Sequence, residues 1–195
     1  HPVAHSFPTR RSSDLQTTTA FYRVPARGFG LVTLHRPSNV DDPEPLTKIC
    51  TVLRKTAREL PLIFPVHPRT RKNLERFDLL TGLEQAPGVQ LIEPLGYIQF
   101  MNLVFNCRLA ITDSGGIQEE TTYLAIPCLT LRPNTERPVT VDQGSNRLCT
   151  ADTIGAALRT VLDHPDALPN RPPELWDGQT ASRVVDSMRT FFASR

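Results

Sequence analysis

A parallel α/β sheet covered by helices on both faces is the architecture this sequence predicts. Beyond Gln16, short apolar, strand-favouring runs alternate with longer stretches of helical periodicity, the pattern of repeated βα units. Ile111 to Glu120, I-T-D-S-G-G-I-Q-E-E, joins a short apolar strand through a glycine-paired turn to a helix that opens at once. The next apolar run, Cys128 to Leu131, leads into R-P-N-T-E-R at Arg132 to Arg137. In a parallel sheet both segments emerge at the carboxyl edge of the strands, where ligands bind.

The elements follow in order. Strands are expected at Gly30 to Leu34, Leu62 to Pro65, Val89 to Ile92, Leu109 to Thr112 and Cys128 to Leu131. The first crossover has clear helix-start chemistry: Asp42 can cap, Pro43 suits the first helical position, and Leu46, Ile49, Val52 and Leu53 recur at helical spacing. That helix should run to about Glu59. Gly96 to Phe105 and Gly116 to Leu124 read as helices flanking the fourth strand, and Asp152 to Leu162 as an amphipathic helix with Asp152 as its cap. A proline-rich connector, His164 to Pro173, leads to Trp176-Asp177-Gly178 and a last helix over Thr180 to Phe192. The 18 prolines fall mostly at strand ends and helix starts, where a missing N–H costs little, so they punctuate the βα units rather than break them.

Composition excludes several classes of function. A chain of 195 residues with 39% hydrophobic content can build one core, and one domain is the default expectation. Its 22 basic and 20 acidic residues are well mixed, without the basic stripe that nucleic-acid binding needs. Cys50, Cys107, Cys128 and Cys149 lie far apart in or beside apolar segments, as buried free thiols in a reducing cytoplasm would. Scattered histidines without paired aspartates give no metal cluster, and no apolar run is long enough to span a bilayer. A cytoplasmic protein without metal or redox cofactor is expected.

The first residues look foreign to the rest. His5 to Leu15, H-S-F-P-T-R-R-S-S-D-L, resembles the translation of a short-read sequencing adapter, so residues 1–15 are expected to be a non-native leader and residues 16–195 the domain proper. His1 to Ala4 are not explained by that adapter. The native protein is then expected to begin further upstream.

Residues at the strand ends form the candidate site: His35, Arg36, His67, Asp113, Ser114 and Arg132 to Arg137. A helix N-terminus offers unpaired N–H groups and the positive end of the helix dipole, which favours phosphate. With Ser114 as N-cap the third helical position is Ile117, so no capping-box acid competes for those N–H groups. Each motif also has a plainer reading. Ser114-Gly115-Gly116 alone could be just a tight turn, and His35 or His67 could be structural. One of Glu119 and Glu120 should be a solvated helix residue. Arg137 at a helix start opposes the dipole and calls for an anion, either the neighbouring Glu136 or a phosphate. Trp176 reads as packing.

T-L-H-R-P-S-N at Thr33 to Asn39, F-P-V-H-P-R at Phe64 to Arg69, T-D-S-G-G-I-Q-E-E at Thr112 to Glu120 and N-T-E-R-P-V-T at Asn134 to Thr140 together closely resemble the non-hydrolysing UDP-N-acetylglucosamine 2-epimerases. Trp176 to Gly178 with Ala181-Ser182-Arg183 looks like that family's closing segment. The resemblance covers the chain after about Gly28. It implies the C-terminal half of a glycosyltransferase-B type fold, a Rossmann-like UDP-binding domain with a closing helix, with the N-terminal domain outside this sequence. It implies an isomerase that inverts carbon 2 of the sugar by eliminating UDP to a 2-acetamidoglucal and adding it back. By the same resemblance His35 and Arg137 belong to the catalytic centre, and Ser114, Gly115 and Gly116 hold phosphate. Glu120 binds ribose hydroxyls, Arg137 contacts the diphosphate and Phe100 lies by the uracil. Leu95 departs from the glutamine of some members, leaving any base contact there to the backbone. Arg36 and His67 match positions lining a second, regulatory nucleotide-sugar site. The family's acid–base carboxylates lie in the other half, so this chain alone should be inactive; the full-length protein should be a homodimer that binds UDP-N-acetylglucosamine and UDP, with no nucleic-acid or membrane partner. Two other readings share the cradle: a nucleotide-sugar glycosyltransferase, against which the His35-Arg36 and Thr135 to Arg137 motifs argue, and a non-catalytic UDP-sugar sensor.

Overall fold

Among the described residues proline sets the start of four helices, and an apolar run sets most of the strands. A computed structural model of the chain describes residues 22–169 and 171–193. The expected leader lies outside these residues. Six strands form one sheet in the order β3-β2-β1-β4-β5-β6: β1 Gly30–Thr33, β2 Leu62–Pro65, β3 Val89–Ile92, β4 Leu109–Thr112, β5 Cys128–Leu131 and β6 Asn146–Cys149. The β1–β2, β2–β3 and β5–β6 pairings are parallel, with Gly30 opposite Leu62, Leu62 opposite Val89 and Cys128 opposite Asn146. A Rossmann-like α/β sheet is therefore what the alternating pattern encodes. Contacts divide the chain into two compact units, residues 1–111 and 112–195.

In the first unit β1 is followed by α1 (Pro37–Val40) and α2 (Pro43–Thr56), β2 by α3 (Pro68–Arg76) and α4 (Leu80–Glu84), and β3 by α5 (Tyr97–Asn106). Asp42 accepts a bond from Glu44 N at 3.0 Å and Pro43 opens α2, as the sequence predicts. Leu46, Ile49, Cys50 and Leu53 of α2 are buried, giving the helical spacing its core face. The helix ends at Thr56, three residues short of the expected Glu59, and a turn closes it through Ala57 N to Leu53 O. Beyond that turn Gly88 has φ +84° and an added Cβ would lie 2.2 Å from Ala57 O, so only glycine lets the chain enter β3. Helix α3 was not expected. Its sequence, P-R-T-R-K-N-L-E-R, has one large apolar residue, Leu74, and the helix is anchored instead by polar atoms: buried Thr70 donates to Leu34 O and Asn73 to Asp41 at 2.9 Å.

In the second unit β4 ends at α6 (Gly115–Tyr123), β5 leads to α7 (Pro138–Asp142), β6 to α8 (Ile154–Asp163), and α9 (Thr180–Ala193) follows the connector. Ile154, Ala157, Leu158 and Val161 bury one face of α8. Thr153, not Asp152, is its N-cap; its hydroxyl accepts from Thr150 N at 2.9 Å, fixing the turn rather than the helix. Strand β6 was also not expected, because N-R-L-C offers no apolar run. Asn146 is nevertheless buried, held by side-chain hydrogen bonds described below. Asp177 accepts from Gln179 N at 3.0 Å and pairs with Arg183, so Trp176-Asp177-Gly178 and Arg183 staple the start of α9. Arg183 and that backbone bond hold the Asp177 carboxyl below the usual carboxylate range. The four cysteines are free and buried. Burial pushes the Cys50 thiol up to about 12 and that of Cys149 to about 11, so neither is a nucleophile at neutral pH.

Candidate functional site

Each unit gathers its own set of polar side chains at strand ends. In the first, His35 follows β1 and His67 follows β2, and their rings lie 5.8 Å apart between centroids at 44°. Parallel pairing of β1 with β2 accounts for this meeting of two residues far apart in sequence. His67 is the N-cap of α3, its Nδ1 accepting from Arg69 N at 3.2 Å. Arg69 in turn grips Asp41, and that guanidinium is the main reason the Asp41 carboxyl sits below its ordinary value. Arg36 caps α1 through its backbone and is half-buried, whereas both histidines are exposed. Phe100, half-buried, lies on the first turn of α5 beside exposed Tyr97 and Ile98.

The second set is built differently. Thr112 at the end of β4 and Asp113 just after it are completely buried, and Thr112 Oγ1 accepts from Ser114 N at 3.0 Å, which fixes the turn into α6. Ser114 is the N-cap in extended conformation, but its side chain makes no capping bond. The N–H groups of Gly115, Gly116 and Ile117 stand at the first turn, where no carbonyl of the helix can reach them. Gly116 is exposed, and a Cβ built on it would meet nothing within 4 Å. Neither backbone conformation nor packing thus calls for glycine there.

Two guanidinium groups flank this helix. Arg132 is only 5% exposed, and its Nη1 would lie 3.8 Å from a Cβ at Gly115. Its Nη2 bonds Glu136 Oε1 at 3.1 Å. Arg137, the N-cap of α7, brings Nε to 2.8 Å from Glu119 Oε1. That contact is an ion pair by distance but is off-line as a hydrogen bond, so the buried Nε–H has no acceptor in line. The sequence pointed to Glu136 as the plain partner of Arg137. Glu136 is instead committed to Arg132, and the carboxylate facing Arg137 comes from α6. Nor is either acid of the Glu119-Glu120 pair a solvated bystander, since both are half-buried.

A buried polar network ties these parts together. Gln118, fully buried, donates through Nε2 to Ser114 O at 3.1 Å and accepts at Oε1 from Thr135 Oγ1 at 2.7 Å and Asn146 Nδ2 at 3.1 Å. Asn146 Nδ2 also donates to Thr140 Oγ1 at 3.0 Å, and its Oδ1 accepts from Thr130 Oγ1 at 2.6 Å. As single residues in the sequence Gln118, Thr135 and Asn146 carry no signal of this role. The available signal was Gln118 lying one turn beyond Ser114, on the face of α6 that must be covered.

The second unit thus brings Ser114, Gly115, Gly116, Glu120, Arg132 and Arg137 to one helix and the loop beside it, while the first brings together His35 and His67. Unpaired amides, a helix dipole and two guanidiniums suit an anion of two or more negative charges. Among the described residues no group of three or more His, Cys, Asp or Glu is placed to hold a metal ion, and no helix is long and apolar enough to cross a membrane.

Comparison with known proteins adds chemistry to this geometry. A family model described as UDP-N-acetylglucosamine 2-epimerase matches residues 4–189. The UDP-N-acetylglucosamine 2-epimerase of Methanococcus maripaludis is 48% identical over 124 residues, covering 63% of this chain and 34% of that protein. Its counterpart in Methanocaldococcus jannaschii is 46% identical over 157 residues, covering 80% of this chain and 43% of the relative. The crystal structure of the M. jannaschii enzyme in complex with UDP-GlcNAc and UDP matches with a TM-score of 0.70 at 35% identity, over 88% of this chain and 49% of that one. The chain spans half or less of the length of these relatives.

Proposed function

The chain belongs to the UDP-N-acetylglucosamine 2-epimerase family, and from that premise we propose that it is the UDP-binding half of an isomerase that interconverts UDP-N-acetylglucosamine and UDP-N-acetylmannosamine. One observation carries the reading: at the N-terminus of α6 a buried guanidinium, Arg132, stands against Gly115 where the helix dipole is already positive, and the glycine at Gly116 has no structural reason of its own. Two positive elements placed together are stabilised by an anion between them. A diphosphate provides it.

In this reading the amides of Gly115 and Gly116 and the Ser114 hydroxyl hold the diphosphate, and Arg137 reaches it from the start of α7 in exchange for Glu119. Glu120 takes the ribose hydroxyls and Phe100 lies by the uracil. The reaction eliminates UDP from carbon 1 as a base removes the proton on carbon 2. UDP then adds back to carbon 1 on its original face while a proton is delivered to carbon 2 from the opposite face. Charge develops on the departing diphosphate, so amides and guanidiniums fixed in advance stabilise that step. They also hold UDP beside the glucal, which makes the return effectively intramolecular. His35 contributes to the catalytic centre, whereas Arg36 and His67 line a regulatory site for a second nucleotide sugar. The carboxylates that move the carbon-2 proton belong to the other half of the protein.

Calorimetric titration with UDP tests this reading. The parent chain is expected to bind. Gly116→Val places two methyls where the diphosphate approaches and should weaken binding about 100-fold, a clash of the size of overpacking. Its thermal stability should change little, because the added Cβ meets nothing. Identical heats for the two proteins would overturn the assignment.

A further inference from the structure

We propose that Gln118 and Thr135 are positioning residues that set the guanidinium of Arg137 against the N-terminus of α6. The inference rests on the diphosphate reading above and deepens it, since neither side chain is assigned a contact with the ligand. Thr135 Oγ1 faces two ways: it donates to Gln118 Oε1 at 2.7 Å and accepts from Arg137 N at 3.0 Å. Gln118 passes the restraint to the other side of the site, donating to Ser114 O at 3.1 Å. Two atoms of the anion cradle, the Ser114 carbonyl that opens α6 and the Arg137 amide that precedes α7, are thus joined through only two side chains.

The network has a single direction of donation. Thr130 donates to Asn146, Asn146 donates to Gln118 and to Thr140, and Thr140 donates to Arg137 O at 2.7 Å. Arg137 is therefore held at both its backbone N–H and its carbonyl by threonine hydroxyls whose partners are fully buried amides. A glutamine amide turned the other way would set Nε2 against Asn146 Nδ2 and Oε1 against Ser114 O, so the surrounding donors leave one orientation. Such a frame is more than core packing needs. An apolar residue at position 118 would bury more cheaply, and the amide is explained by its two ends, each on a piece of the cradle.

A double-mutant cycle on the complete chain tests this. Thr135→Val removes the hydroxyl at constant volume, and Thr135→Ser keeps it. UDP affinity is measured by calorimetry well below the unfolding temperature, in the parent and in an Arg137→Ala background. Thr135→Val is expected to weaken UDP binding about fivefold in the parent, the worth of one well-made hydrogen bond, with Thr135→Ser within about twofold of the parent. In the Arg137→Ala background Thr135→Val should have no effect on affinity. A merely structural threonine would lower stability and leave the affinity of the folded protein unchanged. An unchanged affinity in Thr135→Val, or an equal loss in both backgrounds, overturns the positioning role while leaving the diphosphate site standing. Failure of the parent itself to bind UDP overturns both.

Discussion

The two polar clusters differ in how their side chains are held, and that difference separates a reading surface from a rigid clamp. His67, Arg69 and Asp41 are joined by largely exposed interactions, a cap in which Arg69 N donates to His67 Nδ1 and an ion pair between Arg69 and Asp41, and His35 meets His67 ring to ring. Ser114 and Arg137 are held from behind by Thr130, Gln118, Thr140 and Asn146, all buried and directionally bonded. Exposed side chains keep rotamer freedom and are cheap to rearrange, so a group anchored only by a cap adapts to what binds it. A buried network does not adapt, and what it supports is held ready in one geometry.

The comparison breaks first at Arg132. Arg132→Met keeps the buried stem and removes the charge beside Gly115, and UDP affinity measured by calorimetry should fall about 10- to 100-fold, the range for a charge-assisted hydrogen bond lost in a dry site. If affinity is unchanged, the positive field at α6 is not what binds the ligand. Glu136, left without its partner, is exposed and costs the protein little.

A second pair of changes sharpens the contrast in stability. Asn146→Leu leaves Thr130, Thr140 and Gln118 each short of a buried partner and should destabilise the protein by about 2 kcal/mol in denaturant unfolding. His67→Ala removes only a helix cap on the exposed cluster, and the same measurement should register about 1 kcal/mol or less. Equal costs would mean that the two clusters are held alike, and the distinction between them would be lost.

How much of this was legible in the sequence follows the same division. Apolar periodicity and cap chemistry marked β1 to β5, α2, α5, α6 and α9 to within three residues, because burial and start signals for those elements are local. Strand β6 and helix α3 escaped because their buried positions, Asn146, Thr70 and Asn73, are polar and are stabilised by partners far away in sequence. The anion site was visible in Ser114-Gly115-Gly116 and in the loop from Arg132 to Arg137. The pairing inside it was not: Glu136 is adjacent to Arg137 in sequence, yet the partner is Glu119, because α6 and the start of α7 meet only once the chain has folded. Gln118 looked like an ordinary helix residue for the same reason.

The central claim is that the first-turn amides of α6 hold a diphosphate, and amide NMR during a UDP titration tests it most directly. At saturation the resonances of Gly115, Gly116 and Ile117 should show the largest movement in the second unit, with the Arg137 amide following. Saturable UDP binding that leaves those three amides unmoved would contradict the account.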